Sequence, residues 1–397
     1  MNILYLTNHF NIGGISSYVL SLARGMKGRG HGVYVASSGG ELVERLYEEE
    51  IPFFPIPINT KSEANLPKIL GSLFKSMGYI KEKDIDIIHS NTRVTAVLGF
   101  FLEHFSRKPH ISTCHGFFKP KFFRRLFPCW GRPVIAISRE VKEHLCDDFR
   151  LREQDIEVIP NGIDLNRFKV YNQEFRLEAK KKMGLGLGPV IGIVARLSDV
   201  KGHSYLIEAM KGVLKDAKDA QLLIVGDGQM KEELVALSRR LGVDKSVFFM
   251  SSVRDTAGVL GIMDLFVLPS LKEGLGLSLM EAMASGLAVV GSDVGGIKSL
   301  IKHGYNGLLV EPGDSRGLCL AILEFLNDQG RARSLGAELA AARKGEEHLV
   351  GARRDAREEV IAVRVGQRRL LLELLVNELH RDAGDAGLAR ILDAVLV

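Results

Sequence analysis

Short apolar runs rich in β-branched residues alternate along this chain with longer amphipathic stretches, and the alternation runs through twice. In the first half the strand-like runs fall at residues 3–6, 33–36, 85–89, 110–113 and 134–136, with helical periodicity over 16–27 and 139–145. After Ile163 the rhythm restarts, with runs at 190–194, 222–225, 247–250, 265–268, 288–291 and 307–310. A strand that feeds a helix that feeds a strand builds a parallel sheet with helices packed on its faces. Two such series predict two successive doubly wound α/β domains, and 397 residues are enough for both.

The periodicities break at VIPNGIDLNRF and again at KKMGLGLGP, where Pro, Asn-Gly and closely spaced glycines interrupt both. The expected division is therefore a first domain over 1–163, a linker over 164–188 and a second domain over 189–330. A linker there leaves a cleft between the domains. Open α/β sheets take ligands at the carboxyl ends of their strands, so the chemistry is expected in loops that follow strands.

Beyond residue 330 the composition changes. Residues 331–397 hold one lysine, Lys344, against eleven arginines, and no aromatic residue. They read either as a helical extension or as the product of a shifted coding frame near residue 340.

Composition removes several classes of function. The net charge of +5 is small and spread out, which is no nucleic-acid footprint. Cys114, Cys129, Cys146 and Cys319 form no close pair, so neither a zinc ribbon nor a disulfide framework is expected, and a reducing cytoplasm fits. The start, MNILYLTNHF, has no basic leader, and no apolar run approaches the roughly 18 residues of a spanning helix. Any membrane contact is expected to be peripheral.

The loop PSLKEGLGLSLMEAMASG at 269–286 follows a strand and opens a helix near Ser278. A helix start offers free N–H groups and the positive end of a dipole, which suits a phosphate, and Gly274 and Gly276 allow close approach around Leu275 and Leu277. Ser278 and Glu281 equally form an S-x-x-E capping box that needs no ligand. Glu273 precedes Glu281 by eight residues, so both carboxylates can face one polyol. Arg196 and Lys201, after the 190–194 run, supply a guanidinium fork and an ammonium for a diphosphate, or are solvated loop charges. Gly13 and Gly14 follow the first strand in the same way.

Other motifs are weaker or ambiguous. Asp84 and Asp86 make a DxD that leads into a strand rather than out of one, so a metal is not expected there. Gly226, Asp227 and Gly228 lack the third glycine of a dinucleotide fingerprint. His115, in TCHGFF, follows a strand and is either a cleft residue or a structural histidine. Residues 117–132, FFKPKFFRRLFPCWGR, interleave five phenylalanines and the single tryptophan with Lys119, Lys121, Arg124, Arg125 and Arg132. From Phe117 to Arg132 this reads as an apolar wedge with a basic rim for an anionic membrane surface, or as a helix packing its phenylalanines into the core.

Taken in order, these pieces resemble the retaining glycosyltransferases of family 4, glycosyl transferases group 1, over residues 1–328. The specific part is E-G-L-G-x-S-L-M-E-A-M-A-S-G; N-x-G-G, R-G-H, C-H-G, V-I-P-N-G-I-D, A-R-L-x-x-x-K-G and V-G-D-G support it. The resemblance implies a GT-B fold, with a nucleotide diphosphate sugar on the second domain and a glycan or lipid-linked acceptor on the first. Arg196 and Lys201 would bind the diphosphate with the backbone of Leu275, Gly276 and Leu277. Glu273 would meet the sugar, Glu281 the ribose and His115 the transferred sugar, while Gly14, Gly226, Ser251 and Gly274 would line the donor. It further implies retention of anomeric configuration with no metal and no other cofactor. Ser251 stands where the family pattern has glycine, and Ala288 where it has proline. The pattern's C-terminal aromatic, carried on a helix that crosses back to the first domain, has no counterpart after Phe325. The expected function is transfer in surface polysaccharide, lipopolysaccharide or glycoconjugate synthesis; an epimerase or a non-catalytic nucleotide sugar sensor on the same scaffold are the alternatives.

Overall fold

A computed structural model describes residues 1–60, 62–328, 330 and 335. Apart from Leu335, the predicted tail over 331–397 lies outside the described residues, as does the helix expected to cross back to the first domain. The chain separates into two compact units that divide between Gly162 and Ile163.

The first unit is built on seven parallel strands: β1 (Asn2–Leu6), β2 (Gly32–Ser37), β3 (Phe53–Pro55), β4 (Ile87–Ser90), β5 (His110–Cys114), β6 (Val134–Ala136) and β7 (Ile156–Val158). Their order is β3-β2-β1-β4-β5-β6-β7. Side chains alternate across a strand, and both faces of this sheet are covered, so its central strands read as unbroken apolar runs. Ile3, Tyr5, Val33, Val35 and Ile87 pack into one core layer, while Leu4, Leu6, Ala36 and Ile88 pack into the other.

β3 and β7 are absent from the sequence expectation, and they are the two edge strands. Each has only three residues. β3 ends on a proline, which an edge tolerates because one side of it needs no ladder hydrogen bond. β6 and β13 are equally short but wholly apolar, whereas Pro55 in β3 and Glu157 in β7 interrupt the apolar run.

The second unit carries six strands: β8 (Val190–Val194), β9 (Gln221–Val225), β10 (Val247–Met250), β11 (Leu265–Leu268), β12 (Ala288–Ser292) and β13 (Leu308–Val310), ordered β10-β9-β8-β11-β12-β13. All six match the expected runs to within a residue or two. Leu268, Phe266 and Ile193 are buried in its core with Leu206 and Met210 of the His203–Asp216 helix. Glycine spacing matters where strand meets loop: a Cβ at Gly192 would fall 2.0 Å from the Met263 Sδ, so β8 accepts Met263 only because that position is bare.

In each sheet the order reverses once, between β1 and β4 in the first unit and between β8 and β11 in the second. Adjacent loops diverge at these seams and leave a crevice at the carboxyl ends of the strands.

Candidate functional site

The second unit's seam brings together residues that are far apart in the chain. Three backbone contacts build it. Beyond β8, Ala195 N–H donates to the Val225 carbonyl at 3.0 Å and Leu197 N–H to that of Asp227 at 3.0 Å, which clamps Arg196 between two hydrogen bonds. This is possible because a Cβ at Gly226 would lie 2.0 Å from the Ala195 oxygen, and one at Gly228 would lie 2.1 Å from that of Leu197. Gly226 is thus needed to shape the loop.

Gly202 makes the second contact. It sits at φ 68, a left-handed conformation, and a Cβ there would be 1.9 Å from the Pro269 oxygen. The loop after β8 is therefore pressed against the end of β11, and Leu271 N–H donates to the Val200 carbonyl at 2.8 Å. The third contact comes from Gly296, whose N–H donates to the Glu273 carbonyl at 3.1 Å. A Cβ on Gly296 would fall 2.3 Å from the Gly274 oxygen.

Held in this way, Lys201 Nζ lies 2.5 Å from Glu273 Oε2, and the Ser270 hydroxyl donates to the same oxygen at 3.2 Å. Both members of the pair are partly shielded from solvent. Arg196 is exposed, and no carboxylate pairs with it among the described residues.

The helix after β11, Leu277–Ala284, is capped by Gly276 at φ 92, without a side-chain cap and without an acidic residue in its first turn. The S-x-x-E capping box therefore does not form. The Glu281 carboxylate instead accepts from the Thr256 hydroxyl at 2.9 Å, and burial raises its pKa to about 7 against that stabilising bond. The helices after β1 and β8 likewise begin on glycine with no side-chain cap. Helices at Arg93, Arg139, Gln173 and Ser315 are capped by Thr92, Ser138, Asn172 and Asp314. Side-chain caps are thus missing at Gly13, Gly202 and Gly276, whereas the helix after β4, which also borders the first unit's seam, is closed by Thr92.

Ser251 is exposed at the end of β10. Its neighbour Ser252 donates its N–H to Asp227 Oδ2 at 2.8 Å, a bond that lowers the Asp227 pKa and ties the Ser251 loop to the loop after β9.

Gly14 and His115 belong to the first unit. Gly14 opens the Gly14–Gly28 helix, capped by Gly13, where a Cβ would meet nothing within 4 Å. His115 follows β5; its ring stands edge-on to Tyr18 with centroids 4.7 Å apart, and its Nε2 is 3.4 Å from Asn91 Oδ1. Burial depresses its pKa to about 3, so the imidazole is neutral at ordinary pH. Asn91 follows β4, so the side chain of His115 reaches toward the seam between β1 and β4.

Sequence reasoning missed Thr256, Ser270 and Asn91, each of which fixes a group it did single out. No spacing rule marks a hydroxyl or amide whose partner is 25, 3 or 24 residues away. The 117–132 segment divides: Trp130 is buried, whereas Phe122 and Phe127 stand exposed. Its Arg124 pairs with Glu63 and its Arg125 with Asp148, so these two do not form a free basic rim. Asp86 accepts the Asn2 N–H at 2.7 Å and secures the start of β1.

Comparisons with known proteins agree with this architecture. A family model for glycosyltransferase family 4 matches residues 12–167, and one for glycosyl transferases group 1 matches residues 176–341. An uncharacterized glycosyltransferase of Methanocaldococcus jannaschii is 29% identical over 341 residues, 80% of this chain and 86% of that protein. The Escherichia coli UDP-Gal:alpha-D-GlcNAc-diphosphoundecaprenol alpha-1,3-galactosyltransferase is 28% identical over 74% of this chain and 80% of its own length. Among solved structures, Anabaena HepE in complex with UDP and glucose superposes with a TM-score of 0.76 at 23% identity, over 96% of this chain and 100% of that one. With two Rossmann-like parallel sheets and family matches to both units, the chain belongs to the family 4 glycosyltransferases of the GT-B fold.

Proposed function

We propose that this protein is a retaining, metal-independent glycosyltransferase that moves a sugar from a nucleotide diphosphate sugar to a glycan or lipid-linked acceptor. The observation that carries the reading is the second unit's seam: Arg196 with no carboxylate partner among the described residues, Lys201 beside Glu273, and an uncapped helix start at Gly276. Two cations and an uncapped helix start on loops at the carboxyl ends of one sheet are the means to stabilise a departing diphosphate without a metal. In the transfer, the bond from the anomeric carbon to the diphosphate oxygen breaks and the acceptor oxygen bonds to that carbon on the same face. The acceptor proton passes to the leaving phosphate oxygen. Glu273 would hold the sugar hydroxyls and Glu281 the ribose, while Gly274, Leu275 and Leu277 would line the donor. Gly226 and Ser251 would flank it, and Gly14 and the neutral His115 would act from the first unit.

The E. coli relative named above acts on a diphosphoundecaprenol-linked sugar, and Anabaena HepE was crystallised with UDP and glucose. Those names support a uridine nucleotide and a lipid-linked acceptor in surface polysaccharide or lipopolysaccharide synthesis on the cytoplasmic side. No helix among the described residues is long and apolar enough to cross a membrane. Contact with an anionic bilayer through residues 117–132 fits a lipid-linked acceptor.

A thermal-shift panel of nucleotide sugars identifies the donor, and NMR of the product formed in EDTA reads the anomeric configuration. A product of inverted configuration, or transfer that stops in EDTA and returns with a divalent ion, overturns the mechanism. Conversion of the donor in the absence of any acceptor would instead mark an epimerase.

A further inference from the structure

Asn91 is buried beside the seam between β1 and β4, and three contacts fix it there. Its backbone N–H donates to the Leu6 carbonyl at 2.9 Å, and its Nδ2 donates to the His89 carbonyl at 3.3 Å. Its Oδ1 lies 3.4 Å from His115 Nε2. Only one orientation of the carboxamide satisfies this set. A carbonyl cannot donate, so the end that faces His89 has to be the NH2 group. Turned over, two acceptor oxygens would meet and a buried amide would lose its partner.

The Asn91 oxygen therefore faces the imidazole, and it too can only accept. Burial keeps the His115 ring neutral, so the ring carries a single proton. An acceptor beside Nε2 draws that proton to Nε2 and leaves Nδ1 with a bare lone pair. The ring is half-buried, and no hydrogen bond reaches Nδ1 among the described residues. Tyr18 packs edge-on against the ring with centroids 4.7 Å apart, and a side-chain hydrogen bond to Thr113 holds Tyr18 in turn.

We propose that Asn91 is a positioning residue that fixes His115 as its Nε2–H tautomer, so that the imidazole offers a ligand an acceptor at Nδ1 rather than an N–H. The group that fits such a nitrogen is a hydroxyl that donates. A phosphate or carbonyl oxygen, which can only accept, meets a lone pair and is turned away. That the hydroxyl belongs to a sugar rests on the proposed function; the placement of the proton does not.

The test is long-range proton–nitrogen correlation NMR of the full nitrogen-labelled chain at neutral pH, without any ligand. His115 is assigned by the signals missing from His115→Ala. Wild type is expected to show a protonated Nε2 and a bare Nδ1. Asn91→Ala, and Asn91→Leu beside it in case one does not fold, should draw the two nitrogen shifts toward each other as the tautomers mix. A wild-type ring protonated on Nδ1, or a variant spectrum that matches wild type, overturns the proposal. In sugar transfer, Asn91→Ala should lower kcat/KM about 10-fold, as for the loss of one hydrogen bond. The double variant should fall no further than His115→Ala alone, and losses that add overturn the positioning role. If no protein transfers sugar while the spectra behave as expected, the transferase reading falls and the tautomer assignment stands.

Discussion

Lys201 Nζ and Glu273 Oε2 stand 2.5 Å apart although 72 residues separate them in the chain. They meet across the seam where the strand order of the second sheet reverses, one residue from the loop after β8 and the other from the loop after β11. Each neutralises the other where, under the proposed function, a donor's diphosphate and sugar would be received.

Lys201→Ala and Glu273→Gln should each lower kcat/KM by about 100-fold to 1000-fold, the range for losing one preorganised charge at a reacting centre. The pair is part-exposed and its loops are held by backbone contacts, so the melting temperature should move little. Transfer at the wild-type rate by either variant excludes the site.

Arg196 offers a cleaner separation of stability from function. Exposed and without an ion pair among the described residues, it has no packing role that Arg196→Ala would remove. The variant should unfold at the wild-type temperature yet lose at least about 10-fold in donor affinity, measured by calorimetry. Arg196→Lys should recover only part of it, since an ammonium lacks the bidentate fork.

Glycines divide in the same way. Gly202→Ala places a Cβ 1.9 Å from the Pro269 oxygen at φ 68, and should cost about 2–4 kcal/mol as well as displacing Lys201. Gly13→Ala meets no atom within 4 Å, so its stability should stay within about 0.5 kcal/mol of wild type. If Gly13 serves a ligand, the Michaelis constant rises without any change in melting, and an unchanged constant refutes that role.

Glu281 should impose a pH dependence on donor binding. Its pKa of about 7 reflects burial, partly offset by the Thr256 hydroxyl, which stabilises the ionised carboxylate. Thr256→Val removes that bond and should move the inflection in donor Kd to higher pH, while Thr256→Ser restores it. A profile flat from pH 6 to 8 in wild type contradicts the assignment.

The first unit should lose stability in mild acid. His89 and His110 are buried with pKa values near 3, held neutral by desolvation, and bond to Thr113 and Ser90 through Nε2. The unfolded chain takes up protons near pH 6.5 and the folded one does not, so stability is intact above that pH and falls as pH drops toward 3. Between pH 6.5 and 5 the loss should be roughly 2 kcal/mol for each histidine. His89→Gln should flatten the slope in urea denaturation; an unaltered slope rules His89 out as a source.

The sequence by itself determined the repeated strand–helix rhythm, because a parallel sheet covered on both faces needs continuous apolar runs, and eleven of the thirteen strands carry one. It also marked Glu273, Lys201 and Arg196, since loops after strands are where such side chains can act. Tertiary structure alone decided the rest. Edge strands β3 and β7 carry Pro55 and Glu157 where an apolar run would continue, and they exist because their neighbours offer them a ladder. Glu281 has the spacing of a capping partner, but it turns to Thr256 because the glycine at 276 caps the helix without any side chain. Of the charges in residues 117–132, Arg124 and Arg125 are claimed by Glu63 and Asp148, while Lys119 and Lys121 stay exposed. Pairing depends on which groups folding brings within a few ångströms, and local sequence does not encode that distance.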